Sequence, residues 1–380
     1  MGFWVRTVEN MVKSRVNRGG PVDFSFWHGK RVLITGHTGF KGSWLSLWLH
    51  DLGADVYGFA LPPTAASLYA MAGVEEVVSS IFADIRELGA VHSAMEEIKP
   101  EIIIHLAAQP LVRDSYLYPI DTLATNIMGT ANLLQAVRSV SGIRSLVNVT
   151  TDKVYDNKEW IWGYRENDAL GGYDPYSASK ACSELITSAF RHSYFQHDEQ
   201  NSQRVAIATA RAGNVIGGGD TAKDRLVPDC IAALQKQEPV VIRNPHSVRP
   251  WQHVLDPLSG YLMVAEKLYT HGMSYAKGWN FGPISNDART VEWIVRYLYD
   301  QWGASEMYKI SDAQHPHETN QLRLDCSQAV TELGWYPRWD LETSLDKVVD
   351  WHRAVEQGAS PRNVSLRQIE EYMHTEVNSG

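Results

Sequence analysis

The sequence predicts a doubly wound parallel-sheet α/β domain joined to a smaller mixed α/β lobe. Three observations carry this. Short runs that are apolar nearly throughout alternate with amphipathic helical segments, the pattern of a parallel sheet covered on both faces. A glycine-rich loop joins the first such run to the first helical segment. After Arg211 the alternation loosens, and glycine, proline and arginine become frequent.

Residues 1–24 open with Arg6, Lys13, Arg15 and Arg18 but no continuous apolar core, so they read as a loosely ordered extension rather than a secretory signal. The first domain then spans 25–212. Its first strand is Arg31 to Thr35, followed by a helix from Phe40 to Leu52 and a second strand from Asp55 to Ala60. Val77 to Phe82, Glu101 to Leu106, Leu146 to Val149 and Val205 to Thr209 give four further strands. Helices at Glu87 to Ile98, Thr125 to Val140 and Pro175 to Tyr194 separate them. Residues 213–365 form the second lobe, with helices around Pro257 to Leu268, Val291 to Gln301 and Glu342 to Val355, and some of its segments return to the first domain. Residues 366–380 read as a tail.

Composition narrows the classes of function. The chain has 380 residues and a formal net charge of -9, which argues against broad nucleic-acid binding. No apolar stretch approaches the roughly 18 residues of a membrane helix. Cys182, Cys230 and Cys326 form no closely spaced pair and suit a reducing, cytoplasmic setting. His315 and His317 flank Pro316, but no carboxylate or cysteine cluster completes a metal site, so no metal is expected.

Chemistry concentrates in three strings. Gly36, Gly39 and Gly42, with Thr38 and Phe40 between them, let the backbone turn tightly and approach a pyrophosphate at a helix start. Lys41 and His37 are candidate phosphate contacts or solvated loop residues. Thr150-Thr151-Asp152-Lys153 supplies a hydroxyl, a carboxyl group and an amine. Tyr176 and Lys180, four apart, share one helix face. To act as a base near neutrality, a tyrosine must titrate about three pH units below its ordinary value, about 4 kcal/mol. A neighbouring ammonium and an oxidised nicotinamide ring could together supply this. The second strand ends Phe59-Ala60-Leu61, with neither a ribose-binding acid nor an arginine for a 2′-phosphate, so it leaves NAD and NADP open.

These strings, with Ala83-Asp84-Ile85, His105-Leu106-Ala107-Ala108-Gln109 and Arg211-Ala212-Gly213-Asn214, resemble the extended short-chain dehydrogenase/reductase family, whose members act on nucleotide sugars. The resemblance runs from about Trp27 to about Trp351. It implies a Rossmann domain with a substrate-binding lobe. Asp84 and Ile85 would hold the adenine, and Leu106, Ala107, Ala108 and Gln109 would lie along the cofactor. Thr151, Tyr176 and Lys180 would handle the sugar hydroxyl being oxidised, with Lys180 lowering the tyrosine. The cofactor is then NAD, recycled within each turnover.

Within the family, 4,6-dehydratases place an acid pair after the threonine. Here Asp152 is followed by Lys153, unlike the aspartate and glutamate of the dTDP-glucose enzymes. Together with Asp156 to Trp160, Gly163 to Glu166 and Gly217 to Asp220, this is similar to the branch acting on CDP-glucose, the nucleotide sugar the resemblance favours. Asp152 would be the acid for the leaving hydroxyl. Lys153 would be the C5 base or an enolate stabiliser: at its ordinary pKa only about one lysine in two or three thousand is neutral at pH 7. Asn214 and Arg249 would face the diphosphate with His253 close by, and Arg225 adds a cation. Leu226, Val227, Ile242 and Arg243 would line the base. The resemblance also implies a homodimer, or a tetramer, built on the helices at Thr125 to Val140 and Pro175 to Tyr194. A 4-epimerase would use the same tyrosine and lysine without the acid and amine, and a noncatalytic cofactor-sensing protein would need none of them.

Overall fold

The β-branched runs form strands whose successive residues point to opposite faces, and both faces are covered. In the computed structural model, which describes residues 22–196, 205–283, 288–305, 308–310 and 322–376, strands β1 (Arg31–Thr35), β4 (Ile102–His105) and β5 (Ser145–Val149) lie at the centre. Val32, Ile34, Ile102, Ile104 and Val147 enter one core, and Leu33, Ile103 and Leu146 enter the other. This alternation is what a period of two demands of a sheet buried on both sides.

Flanking them are β2 (Asp55–Ala60), β3 (Ser79–Phe82) and β6 (Ala206–Ala212). With β10 (Gly278–Phe281) they complete a seven-stranded parallel sheet in the order β10-β6-β5-β4-β1-β2-β3. Helices α1 (Phe40–Asp51), α2 (Leu88–Ile98), α3 (Gly129–Ser139) and α4 (Pro175–Phe190) cover it. α1 is buried at every position from Gly42 to Leu49, between the sheet and the last helix of the chain.

The lobe has its own core around Ile216, Val227, Ile231, Leu298 and Leu345. It is built from β7 (Asn214–Ile216), α5 (Leu226–Lys236), β8 (Val240–Ile242), β9 (Val248–His253), β11 (Ala288–Thr290), α7 (Val291–Trp302), β12 (Tyr308–Ile310) and α8 (Leu341–Glu356). Between β9 and β11 the chain returns to the main sheet. There α6 (Leu255–His271) packs on β4, β5 and β6, and β10 pairs with β6. Polar Asn280, buried within Gly278-Trp279-Asn280-Phe281, hides that strand from a reading of apolar runs.

Two boundaries differ from the sequence reading. Most of the expected tail belongs to α9 (Pro361–His374), which buries Ile369, Tyr372 and Met373 in the core. Val22 and Trp27 are already buried, so the fold begins before residue 25, and residues 1–21 lie outside the described residues. The long helices begin or end in single π-helical turns, Ala124–Met128 before α3 and Arg191–Phe195 after α4. No helix among the described residues is long and apolar enough to cross a membrane. No cluster there of three or more His, Cys, Asp or Glu could hold a metal ion, and His315 and His317 lie outside the described residues.

Candidate active site

The strand order reverses between β1 and β4, the position where a doubly wound sheet opens a crevice at its carboxyl edge. A cavity of about 960 Å³ lies there, walled by the loops of the sheet on one side and by the lobe on the other.

At one end lies the glycine loop. Gly36 has a φ of +77°, and a β-carbon there would stand 2.7 Å from Ala107 N; at Gly42 it would stand 2.2 Å from Gly36 O. Only glycine permits these approaches, which bring the loop against the start of α1, where Gly39 leaves the helix without a side-chain cap. An uncapped helix start facing a cavity suits a pyrophosphate. Thr38, Phe40, Asp84, Ile85, Leu106, Ala107 and Ala108 line the same end, so these residues fit a dinucleotide. Arg86 donates to Asp84 at 2.6 Å and holds its carboxyl group below the usual range.

Two expected contacts at this end are not made. Gln109 is turned into the scaffold, where it bonds the backbone of Leu111 and Thr122 Oγ1 instead of lining the cavity. His37 is neither solvated nor at the cavity: its ring fills the space above Gly58, and Nε2 lies 2.9 Å from Ser80 Oγ. Burial lowers it to about 4, leaving it neutral. Lys41 does line the cavity, with Nζ 3.4 Å from Tyr261 Oη. Burial, then Arg225, Lys180 and Lys153, lower it to about 7, against the opposite pull of Asp152.

The middle of the cavity holds Thr151, Asp152, Lys153, Tyr176 and Lys180 together. Thr151 caps a single 3-10 turn, Asp152–Val154, and donates to Asp152 Oδ1 at 2.9 Å. Lys153 Nζ donates to the same oxygen at 3.2 Å. Across from this turn, Asp174 caps α4 by accepting from Ser177 N at 2.9 Å, with Pro175 as the first helical residue. That start directs Tyr176, Lys180 and then Glu184 to one buried face.

The expected division of labour changes here. Burial raises the Tyr176 phenol, and Lys153 and a hydrogen bond with Thr151 pull it down. Lys180, expected to lower the tyrosine, instead donates to Val149 O at 3.1 Å. Burial lowers Lys180 to about 8, and Glu184 opposes the fall. Glu184 was absent from the sequence reading, although its spacing of four from Lys180 and eight from Tyr176 was the available signal. It accepts from Thr150 and Thr209 at 2.6 Å each and pairs with Arg211 at 2.9 Å. Arg211 also donates to Tyr155 Oη at 2.7 Å.

At the lobe end, Asn214, Arg225, Leu226, Val227, Ile242, Arg243 and Arg249 line the cavity. Arg225 is held by Asp220 at 3.0 Å, and Arg243 lies 3.8 Å from Asp224. His253 is the exception. Fully buried between Trp44 and Trp339, it accepts a hydrogen bond from Leu255 N and belongs to the core beneath the site.

A parallel dinucleotide fold with a Tyr-x-x-x-Lys helix and a Thr-Asp-Lys turn over one cavity defines an extended short-chain dehydrogenase/reductase. More narrowly, the chain belongs to the GDP-mannose 4,6 dehydratase family, whose sequence model matches residues 33–348. It is 52% identical over 353 residues to CDP-glucose 4,6-dehydratase of Salmonella typhimurium, covering 93% of this chain and 98% of that one. It is 28% identical to dTDP-glucose 4,6-dehydratase of Xanthomonas campestris, covering 84% and 92%. Among solved structures, dTDP-glucose 4,6-dehydratase from Streptomyces venezuelae with NAD and TYD bound superposes with a TM-score of 0.73 at 24% identity, covering 87% and 99%. UDP-glucose 4-epimerase from Thermotoga maritima gives 0.72 at 22%, covering 86% and 99%. At these identities the two structures speak to the fold alone.

Proposed function

We propose that this protein dehydrates CDP-D-glucose to CDP-4-keto-6-deoxy-D-glucose, with NAD as a cofactor regenerated in each turnover. The observation that carries this reading is the 52% identity to a CDP-glucose 4,6-dehydratase along nearly the full length of both chains.

NAD, which the glycine loop with Asp84, Ile85, Leu106, Ala107 and Ala108 would hold, would supply the hydride acceptor for C4 and the hydride donor for C6. The protein's own groups do the rest. Tyr176 accepts the C4 hydroxyl proton while Thr151 bonds the same oxygen, and Lys153 provides the positive charge that makes the phenolate accessible. The proton on C5, made acidic by the new C4 ketone, then passes to Lys153 Nζ or, with Lys153 as the cation that holds the enolate, to another group of the cavity wall. Asp152 protonates the C6 hydroxyl so that it departs as water, and a proton returns to C5 as the hydride reaches C6. The net change is the loss of one water. Asn214, Arg225 and Arg249 would hold the diphosphate, for which guanidinium geometry is suited. Leu117, Ile120, Met128 and Leu185 are exposed on the segments before α3 and on α4, which supports a homodimer built on those helices. The three cysteines are unpaired, in keeping with a cytoplasmic enzyme.

The test is turnover with added NAD over CDP-, dTDP-, GDP- and UDP-glucose. A 4-keto-6-deoxy product with its alkaline chromophore, formed fastest from CDP-glucose, is expected. Formation of CDP-galactose would replace dehydration with 4-epimerisation, and no turnover across the panel would leave a binding protein.

A further inference from the structure

The lobe end of the cavity contains an acid that the dehydration chemistry does not use. Asp229 lies in the first turn of α5 and lines the cavity with Leu226, Val227, Ile242 and Arg243. The other two acids of this end are engaged: Asp220 accepts from Arg225 at 3.0 Å, and Asp224 from Arg113 at 2.9 Å. Among the described residues, no side chain lies within hydrogen-bond or ion-pair distance of the Asp229 carboxyl group. It is partly buried, and burial together with Asp224 and Asp220 raises it to about 6 against the pull of Arg243 and Arg113.

A half-buried carboxylate with no partner is costly, and in a cavity meant for a diphosphate it also repels the guest. Both costs fall away if the guest presents an N–H at that point. The glycine loop occupies one end of the cavity and the reacting groups its middle, so the nucleoside of a nucleotide sugar extends to the lobe end. The apolar walls of Leu226, Val227 and Ile242 suit a flat ring there.

We propose that Asp229 selects the base by accepting a hydrogen bond from the exocyclic amine of cytosine. Carboxylates accept from this N4 group in base recognition generally, whereas uracil and thymine present a carbonyl oxygen at the same position. The inference rests on the cytidine-nucleotide reading above and deepens it, turning a likeness between sequences into one named contact.

Binding of CMP, UMP and GMP to the full chain, measured by calorimetry without turnover, tests it. A charge-assisted hydrogen bond gained with cytosine and an unpaired carboxylate left with uracil predict a CMP preference of about 10- to 100-fold. In Asp229→Asn, whose amide can donate to the uracil oxygen, that ratio should collapse. In the unaltered protein it should also shrink as pH falls below about 6, while in the variant it should not move. Equal CMP and UMP affinities in the unaltered protein, or an unchanged ratio in Asp229→Asn, would overturn the proposal. Tighter binding of GMP than CMP would overturn the choice of cytosine. Turnover of CDP-glucose keeps the two questions apart. If the ratio survives in Asp229→Asn while CDP-glucose is dehydrated, the base contact fails alone. If CMP is preferred through Asp229 but CDP-glucose is not dehydrated, the proposed reaction fails alone.

Discussion

Glu184→Gln probes the electrostatic frame behind the catalytic helix. Glu184 sits one helical turn beyond Lys180, fully enclosed, and accepts from Thr150, Thr209 and Arg211. Glutamine keeps the volume and removes the charge. Two charges one turn apart, roughly 6 Å, in an effective dielectric of about 20, interact by about 2 to 3 kcal/mol, or about two pH units. The lost charge had favoured the ammonium, so Lys180 should titrate lower, falling from about 8 towards about 6 and leaving it mostly neutral at pH 7. Arg211 is left buried without its anion, a loss of about 3 to 5 kcal/mol of stability. The assay is a pH titration of protein carrying [ε-13C]lysine, with the Lys180 resonance assigned by its disappearance in Lys180→Arg. Thermal melting measures the second effect. Glu184→Gln combined with Arg211→Gln removes both charges and should recover most of the stability while Lys180 stays low. An unmoved Lys180 resonance in folded Glu184→Gln would refute the reasoning.

Other perturbations test separate parts of the molecule. Burial raises Asp256 to about 7, so between about pH 4 and 7 the folded chain holds a proton that the unfolded chain has released. Stability should therefore fall as pH rises through that window, by at most about 4 kcal/mol, and denaturant titrations of Asp256→Asn should lack the fall. Asp152→Asn should lower kcat by about 10²- to 10⁴-fold with little change in melting temperature, and an unchanged kcat would remove Asp152 as the acid for the leaving hydroxyl. Lys153→Met should move the acid limb of the pH-rate profile upward, because Lys153 pulls the Tyr176 phenol down. If C5 still exchanges with deuterated solvent in that variant, Lys153 is not the C5 base.

What the sequence made legible followed from local pattern. Arg31–Thr35 and Asp55–Ala60 are read to the residue because β-branched runs and glycine punctuation act over a few neighbours. Thr151, Asp152, Lys153, Tyr176 and Lys180 converge on one cavity because two short motifs sit at adjacent strand and helix ends. What escaped depends on distant packing. The strand Gly278–Phe281 carries a buried asparagine whose donors are satisfied by Tyr164 and Asp325 carbonyls far along the chain. Part of α9 passed for a tail because its apolar residues are few and find their core on α1, some 320 positions earlier. His253 and Gln109 carry polar labels that suggest ligands, yet one lies among tryptophans and the other closes a loop. Residue type alone does not say which side of the wall a side chain stands on.

The site is held by an interlock that neither motif contains alone. Three consecutive residues at the end of β5 meet three residues of α4 set four apart. Val149 O accepts from Lys180, the Thr150 hydroxyl donates to Glu184, and Thr151 bonds Tyr176. Strand neighbours alternate in direction while helix positions four apart share a face, so only one register lets the three contacts form together. A slip of one residue would turn Thr151 into the core and expose the next side chain in its place. The buried Glu184 and Arg211 pair adds β6 to the same interlock through Thr209. Thr151 and Tyr176 are thus positioned by bonds one residue before Thr151 and one helical turn beyond Tyr176, in the dry part of the fold, while Asp152 and Lys153 line the cavity.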